Sequence, residues 1–138
     1  MKIELYFDLP EQAVQIRQKV FVEEQGFREE FDDLDAQAAH LILYKWRKPV
    51  GVCRVYEDKE NGRWIFGRLA VLPKYRNRHY GAKLVNAAQE YIRGVGGTQL
   101  HLHAQCQASG FYEKQGFIPY GEIEPEEDCP HIWMQKTI

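Results

Sequence analysis

The chain has 138 residues, 18 basic against 20 acidic side chains for a net charge of −2, and is 44% hydrophobic and 13% aromatic. That is enough for one domain, spanning residues 1–138, to bury a core without staples; it excludes a disordered chain and, lacking a basic excess, a general nucleic-acid binder. The three widely spaced cysteines, Cys53, Cys106 and Cys129, include no CxxC pair, which argues against a disulfide framework and for a reducing compartment.

The opening stretch MKIELYFDLPEQ has no apolar h-region, and no run approaches membrane-spanning length, so a cytoplasmic location without a membrane partner is expected. Met1 to Phe7 alternate in character and predict a first strand. Asp8 can cap a helix whose first turn suits Pro10. Ala13, Ile16, Val20 and Phe21 then recur at helical spacing to about Glu24, and Gly26 supplies a stop. Arg28 to Asp35 is strongly acidic and reads as a solvated loop.

His40 to Trp46 is rich in Leu, Ile and Tyr and predicts a strand. Arg47, Lys48 and Pro49 turn the chain, and Val50 to Tyr56 return beside it. The Asn61-Gly62 pair is a strong hairpin signal leading into a strand from Trp64 to Leu72. Leu84, Ala87, Ala88, Tyr91 and Ile92 then form the apolar stripe of a helix that ends in Gly94, Gly96 and Gly97. A strand is expected over 98–104, a short helix over 108–115 stopped by Gly116, a strand over 117–120 and a last strand over 131–136. The order β-α-β-β-β-α-β-α-β(-β) predicts an α/β (α+β) fold: one mixed sheet with helices on its faces. The helix between 72 and 98 makes a parallel crossover.

Residues 67 to 83, GRLAVLPKYRNRHYGAK, concentrate the chemistry. A strand ends at Pro73, basic side chains follow at Lys74, Arg76, Arg78 and Lys83, and a helix opens at Gly81. Unspent backbone N–H groups, a helix N-terminus and positive charge at one point suit phosphate.

These residues resemble the GCN5-related N-acetyltransferase (GNAT) superfamily. Carrying the resemblance are the RLAV strand, the stretch Tyr75-Arg76-Asn77-Arg78-His79-Tyr80-Gly81-Ala82 and the later Phe111-Tyr112-Glu113-Lys114-Gln115-Gly116-Phe117. Val20 to Gly26, Ala104-Gln105 and Pro130-His131-Ile132 look like the small bacterial ElaA-like branch. The family's phosphate loop reads Arg/Gln-x-x-Gly-x-Gly/Ala, and here His79 stands at the first glycine. Gln105 stands where the superfamily commonly has Asn.

The resemblance implies acetyl-CoA as co-substrate. Its pyrophosphate would lie on Arg76, Asn77, Arg78, His79, Tyr80, Gly81 and Ala82. Its pantetheine would pair with the main chain of Leu69, Ala70 and Val71 where two parallel strands splay, with Gln105 nearby. Tyr112 would protonate the leaving thiolate, since a phenol of pKa about 10 and a thiol of about 8.5 are close enough for easy transfer. An amine must also lose a proton, and Glu23, Glu24 and His131 are the candidate bases, with no spacing to choose among them. The resemblance sets Glu24, Gln25, Arg54 and His131 near the acceptor, and an inward Arg54 could pair with a carboxylate or phosphate on it.

His101, His103 and Cys106 could suggest a metal, but no fourth ligand stands at a fitting spacing, so structural histidines and no metal are expected. The resulting expectation is an N-acetyltransferase acting by direct attack on a small-molecule or peptide amine. The alternative is a non-catalytic CoA-binding or interaction module, motivated by His79. An acyl-homoserine-lactone synthase shares this fold and ranks last, because the chain is short for an acyl-carrier surface. The exposed late strands are compatible with a homodimer.

Overall fold

A computed structural model describes residues 1–138. The strands are β1 (Lys2–Tyr6), β2 (Ala39–Lys45), β3 (Lys48–Asp58), β4 (Arg63–Val71), β5 (Gln99–Gln105), β6 (Ile118–Glu126) and β7 (Cys129–Thr137). The α-helices are α1 (Glu11–Arg17), α2 (Tyr80–Gly94) and α3 (Ser109–Lys114). All seven strands join one sheet in the order β1-β2-β3-β4-β5-β7-β6. Only β4 and β5 pair in parallel, across α2, as the chain order predicts.

Helices cover both faces. On one, Leu84, Ala88 and Ile92 of α2 and Tyr112 of α3 pack on Leu41, Leu43, Val55, Phe66, Leu100 and Leu102. On the other, Ala13 and Ile16 of α1, with Val20 and Phe21, pack on Ile42, Tyr44, Val52 and Ala70. β2 is therefore buried on both faces, which is why it reads as an unbroken apolar run rather than an alternating one. Each fully buried aliphatic such as Leu84 or Ile92 contributes about 1.5–3 kcal/mol.

Four local expectations are corrected. The first helix starts after Pro10 with no side-chain cap, so Asp8 does not cap it, and beyond Arg17 it widens into a π-helical segment, Gln18–Glu24, before Gly26 (φ 79°) ends it. Pro49 lies inside β3, at the register shift opposite Leu43 and Tyr44 where a proline's missing N–H is tolerated, and the turn is made by Trp46 and Arg47. β6 runs to Glu126, far past Tyr120, because a bulge between Tyr120 and Glu124, with Gly121 at φ 76°, restores its pairing with β7.

The fourth correction concerns Arg28 to Asp35, which is not simply a solvated loop. Glu30 and Asp35 are buried in a cluster with three arginines. Arg17, fully buried, donates to Glu30 at 2.9 Å and to both oxygens of Asp35 at 2.8 and 3.1 Å. Arg54 donates to Asp32 at 2.6 and 3.1 Å and to Asp35 at 2.9 Å. Arg68 reaches Glu30 at 2.8 Å and Asp32 at 3.3 Å. Three guanidinium groups thus meet three carboxylates and the cluster is formally neutral. Neutrality is the condition under which such burial is tolerable, because any unmatched charge would be desolvated alone.

The parallel pairing is short. Trp64, Ile65 and Phe66 pair with Leu100, His101 and Leu102, and beyond them β4 and β5 have no ladder. The cause lies in the next residues of β4. Against β3, Arg54 faces Gly67 and Val52 faces Ala70, so β4 carries one extra residue there. Arg68 sits in that bulge at φ 54°, a conformation unfavourable for a side chain with a Cβ, and its guanidinium is anchored in the ion cluster. A second pair of left-handed residues, Asn77 and His79 (both φ 62°), precedes α2.

Two stability measurements follow. Burial pushes the Asp35 carboxyl up, but Arg17 and Arg54 prevail and hold it down at about 2. Its folded pKa is below the unfolded one, so its contribution is present above about pH 4 and is lost as pH falls toward about 2; that loss is on the order of 2 kcal/mol in urea unfolding. Asp35→Asn should remove this acid slope and lower neutral-pH stability by a few kcal/mol, since Arg17 and Arg54 lose a partner. An unchanged slope would mean that the cluster does not govern acid sensitivity. His79→Gly, by contrast, should raise stability slightly, by up to about 1 kcal/mol, because glycine removes the left-handed penalty at an exposed position.

Candidate active site

Where β4 and β5 part, the sheet opens into a cleft of about 540 Å³. Gly67 to Leu69, Leu102 to Gln105, Phe111 and Tyr112 form the part between the strands. Gln25, Glu29, Glu30, Asp32, Arg54, Tyr56, Glu126, Glu127, His131 and Trp133 are among the residues that line the rest. Ala70 and Val71 pair with β3 on one side, and the main chain of Leu69 to Val71 lacks a β5 partner on the other. A strand edge in that state offers N–H and C=O groups to an extended ligand. The carbonyl of Val71 already accepts from Arg76 Nε at 2.9 Å.

The loop into α2 is shaped by its sequence. His79 takes the left-handed conformation that glycine would supply, with an exposed side chain, so the replacement does not close the loop. α2 has no side-chain cap, and the first-turn N–H groups of a helix have no intrahelical acceptor. Gly81 suits the packing: a Cβ there would sit 3.2 Å from the Phe111 ring, which would have to give by a few tenths of an ångström. Tyr80 is buried in the core, whereas Arg78 lies over the Tyr75 ring at 5.6 Å.

Arg76 is the expected residue with another commitment. Both its terminal nitrogens donate to Glu24 at 2.7 Å. The same bonds hold the Glu24 carboxyl below its usual range, and Glu24 does not line the cleft. Glu24 therefore stands outside the cleft, paired with the loop that leads into α2. Gln25 and Gln105, expected on acceptor and cofactor respectively, both line the cleft and are joined to each other: Gln105 Nε2 donates to Gln25 Oε1 at 2.8 Å, and Gln107 donates to Gln105 at 2.5 Å. This amide chain ties the end of the π-helical segment to the end of β5. Arg54 does line the cleft, but Asp32 and Asp35 occupy its terminal nitrogens, so it is not a free receptor for an anionic acceptor.

Tyr112 lies at the cleft with its ring packed edge-on against Phe66, Phe111 and Phe117. Burial pushes its phenol well above the ordinary range, with a smaller push from the Cys53 thiol. The neighbouring Cys53 thiol is itself raised by burial. A thiolate released beside them would be desolvated in the same way, so burial pushes phenol and thiol in the same direction.

His131 is buried and bound at both ring nitrogens. Nδ1 donates to the Cys129 carbonyl at 2.8 Å, which fixes its proton, and Nε2 lies 3.2 Å from Glu126 Oε2. The other Glu126 oxygen is 2.9 Å from His103 Nδ1, and His103 stacks on Trp133. Glu126 is thus set between the His131 and His103 rings. Sequence reading missed Glu126, His103 and Trp133 as a group, because only the register His103↔Trp133 and Gln105↔His131 puts them on one face. His101 turns elsewhere, to the Tyr120 hydroxyl at 2.7 Å.

No helix is long and apolar enough to cross a membrane. A profile of the acetyltransferase (GNAT) domain matches residues 7–138. The uncharacterized N-acetyltransferase YjcF of Bacillus subtilis is 32% identical over 127 residues, covering 90% of this chain and 89% of that protein. Protein ElaA of Escherichia coli is 28% identical over 130 residues, covering 91% and 85%. The crystal structure of Escherichia coli ElaA superposes with a TM-score of 0.87 at 26% identity, over 99% of each chain. An acyl-CoA N-acyltransferase from Pseudomonas aeruginosa superposes with a TM-score of 0.86 at 25% identity, over 98% of each chain. With a parted strand pair, a basic loop leading into α2 and a profile match over nearly its whole length, the chain belongs to the GNAT acetyltransferase family, enzymes that take an acyl-CoA as co-substrate.

Proposed function

We propose that this chain is an acetyl-CoA-dependent N-acetyltransferase that acetylates a primary amine of a small molecule or peptide by direct attack, without an acyl-enzyme. The observation that carries the reading is the unpaired edge of β4, which runs between the amino end of α2 and the cleft at Tyr112. The main-chain N–H groups around residues 79–82 hold the pyrophosphate, and Arg76 lends charge by exchanging its Glu24 partner for phosphate. Leu69 to Val71 pair with the pantetheine, which aims the thioester at the acceptor.

The amine nitrogen, once neutral, attacks the acetyl carbonyl carbon, and the C–S bond breaks. Tyr112 gives its proton to the departing sulfur. The proton shed by nitrogen fills the position between Glu126 Oε2 and His131 Nε2. Glu126 and His131 act as one base, because His131 Nδ1 is committed to the Cys129 carbonyl. With Arg17, Arg54 and Arg68 all paired, the wall has no free cation facing the acceptor, which favours an amine over an anionic substrate.

Tyr112→Phe should bind acetyl-CoA normally by calorimetry but lose on the order of 10²-fold in kcat with an accepted amine. Turnover at the wild-type rate would remove Tyr112 from the mechanism. Glu126→Gln should lower kcat by a similar factor while leaving acetyl-CoA binding unchanged. A variant that turns over at the parent rate would assign the base elsewhere.

A further inference from the structure

Four cations converge on a single ring near the phosphate loop. Lys48 Nζ lies 5.5 Å from the centre of Tyr75, Lys45 Nζ 5.7 Å and Lys74 Nζ 5.9 Å, with the Arg78 guanidinium at 5.6 Å. They come from two places far apart in sequence: Lys45 and Lys48 flank the β2–β3 turn, while Lys74 and Arg78 flank Tyr75 itself. No carboxylate forms a salt bridge with any of the four, although the other arginines of β3, β4 and the loop, at 54, 63, 68 and 76, all have acidic partners.

Attraction to the face of one tyrosine is worth about 0.5–1 kcal/mol per exposed cation, and the cations repel one another. An arrangement of this kind is relieved by a multiply charged anion. Tyr75 ends the short 3-10 turn Pro73–Tyr75, and five residues later α2 begins, so the cluster adjoins the place assigned to the pyrophosphate. In CoA, a second phosphate, the 3′-phosphomonoester, is set one ribose away from the pyrophosphate.

We propose that Lys45, Lys48, Lys74 and Arg78, gathered around Tyr75, form a subsite for the 3′-phosphate of CoA, so that the enzyme discriminates CoA from dephospho-CoA. The inference rests on the acyl-CoA reading of the cleft and extends it to the nucleotide end. A phosphomonoester carries nearly two charges at neutral pH, which meets the need of four cations better than the singly charged groups of the diphosphate. The β2–β3 turn is thereby given a role in binding, although it contributes nothing to the cleft.

The test is calorimetric titration of the protein with CoA and with dephospho-CoA, which needs no acceptor and no turnover. CoA should bind at least about tenfold more tightly, a difference of about 1.4 kcal/mol. The margin should shrink in 0.5 M salt, roughly as expected for screened charges. The double variant Lys45→Gln/Lys48→Gln should lose the margin while binding dephospho-CoA as the parent does. Adenosine 3′,5′-bisphosphate should compete better than adenosine 5′-diphosphate. Equal affinity for CoA and dephospho-CoA, or a margin untouched by the double variant, would overturn the subsite and leave the acyl-CoA reading standing. Failure of both ligands to bind would overturn that reading, and the subsite with it.

Discussion

The site depends on one extra residue in β4. Parallel strands normally continue to pair as long as both extend, and β4 and β5 both continue well past Phe66 and Leu102. They part because the bulge at Arg68 bends β4 away immediately after the last pair. A left-handed arginine is unfavourable by itself. It persists here because its guanidinium closes an ion cluster that also fixes Arg17 of α1, Arg54 of β3 and the acidic chain between them. The opening of the cleft and the burial of charge are therefore one feature, and neither is stable without the other.

The same chain segments then set the chemistry. The acidic stretch that neutralises the arginines also walls the cleft, so a charged acceptor finds carboxylates there but no available guanidinium. The β6–β7 hairpin closes the far wall and brings Glu126 to His103 and His131. Its two-residue turn, Glu127 and Asp128, has both residues at positive φ, the conformation that matches the twist of the strands it joins. Glu127 accepts from the backbone N–H groups of Arg28 and Glu29 at 2.8 and 2.9 Å, so the hairpin and the acidic segment are stitched across the cleft.

Sequence periodicity revealed most of the elements, because the helices with apolar stripes and the β2–β4 meander obey simple rules. What it concealed has a physical reason in each case. Arg17 has the spacing of a buried helical position but the chemistry of a surface one, and only the distant Glu30 and Asp35 make its burial possible. The bulge at Arg68 is invisible because the residue is not glycine. β6 was truncated in the sequence reading because Gly121, Pro125 and a run of glutamates look like a loop, whereas a bulge restores its register. The strand, basic loop and helix around residues 67–94 are legible from their sequence order, and His79 adopts the left-handed conformation a glycine would supply there. The pairing of Glu24 with Arg76, and of Gln25 with Gln105, lay beyond any local pattern, since the partners are 52 and 80 residues apart.

The widened turn at Gln18–Glu24 has a consequence for how this protein could change. A π-helical turn accommodates one residue more than an α-turn, so it is the site at which a single-codon deletion could be absorbed without unravelling the helix. The helix would close to α-helical winding there, keeping the residues on either side in phase. Glu24 and Gln25, at its far end, would keep their reach to Arg76 and Gln105, and the buried stripe of α1 would stay in place. Length variation at this one position would therefore spare both the hydrophobic scaffold and the mouth of the cleft.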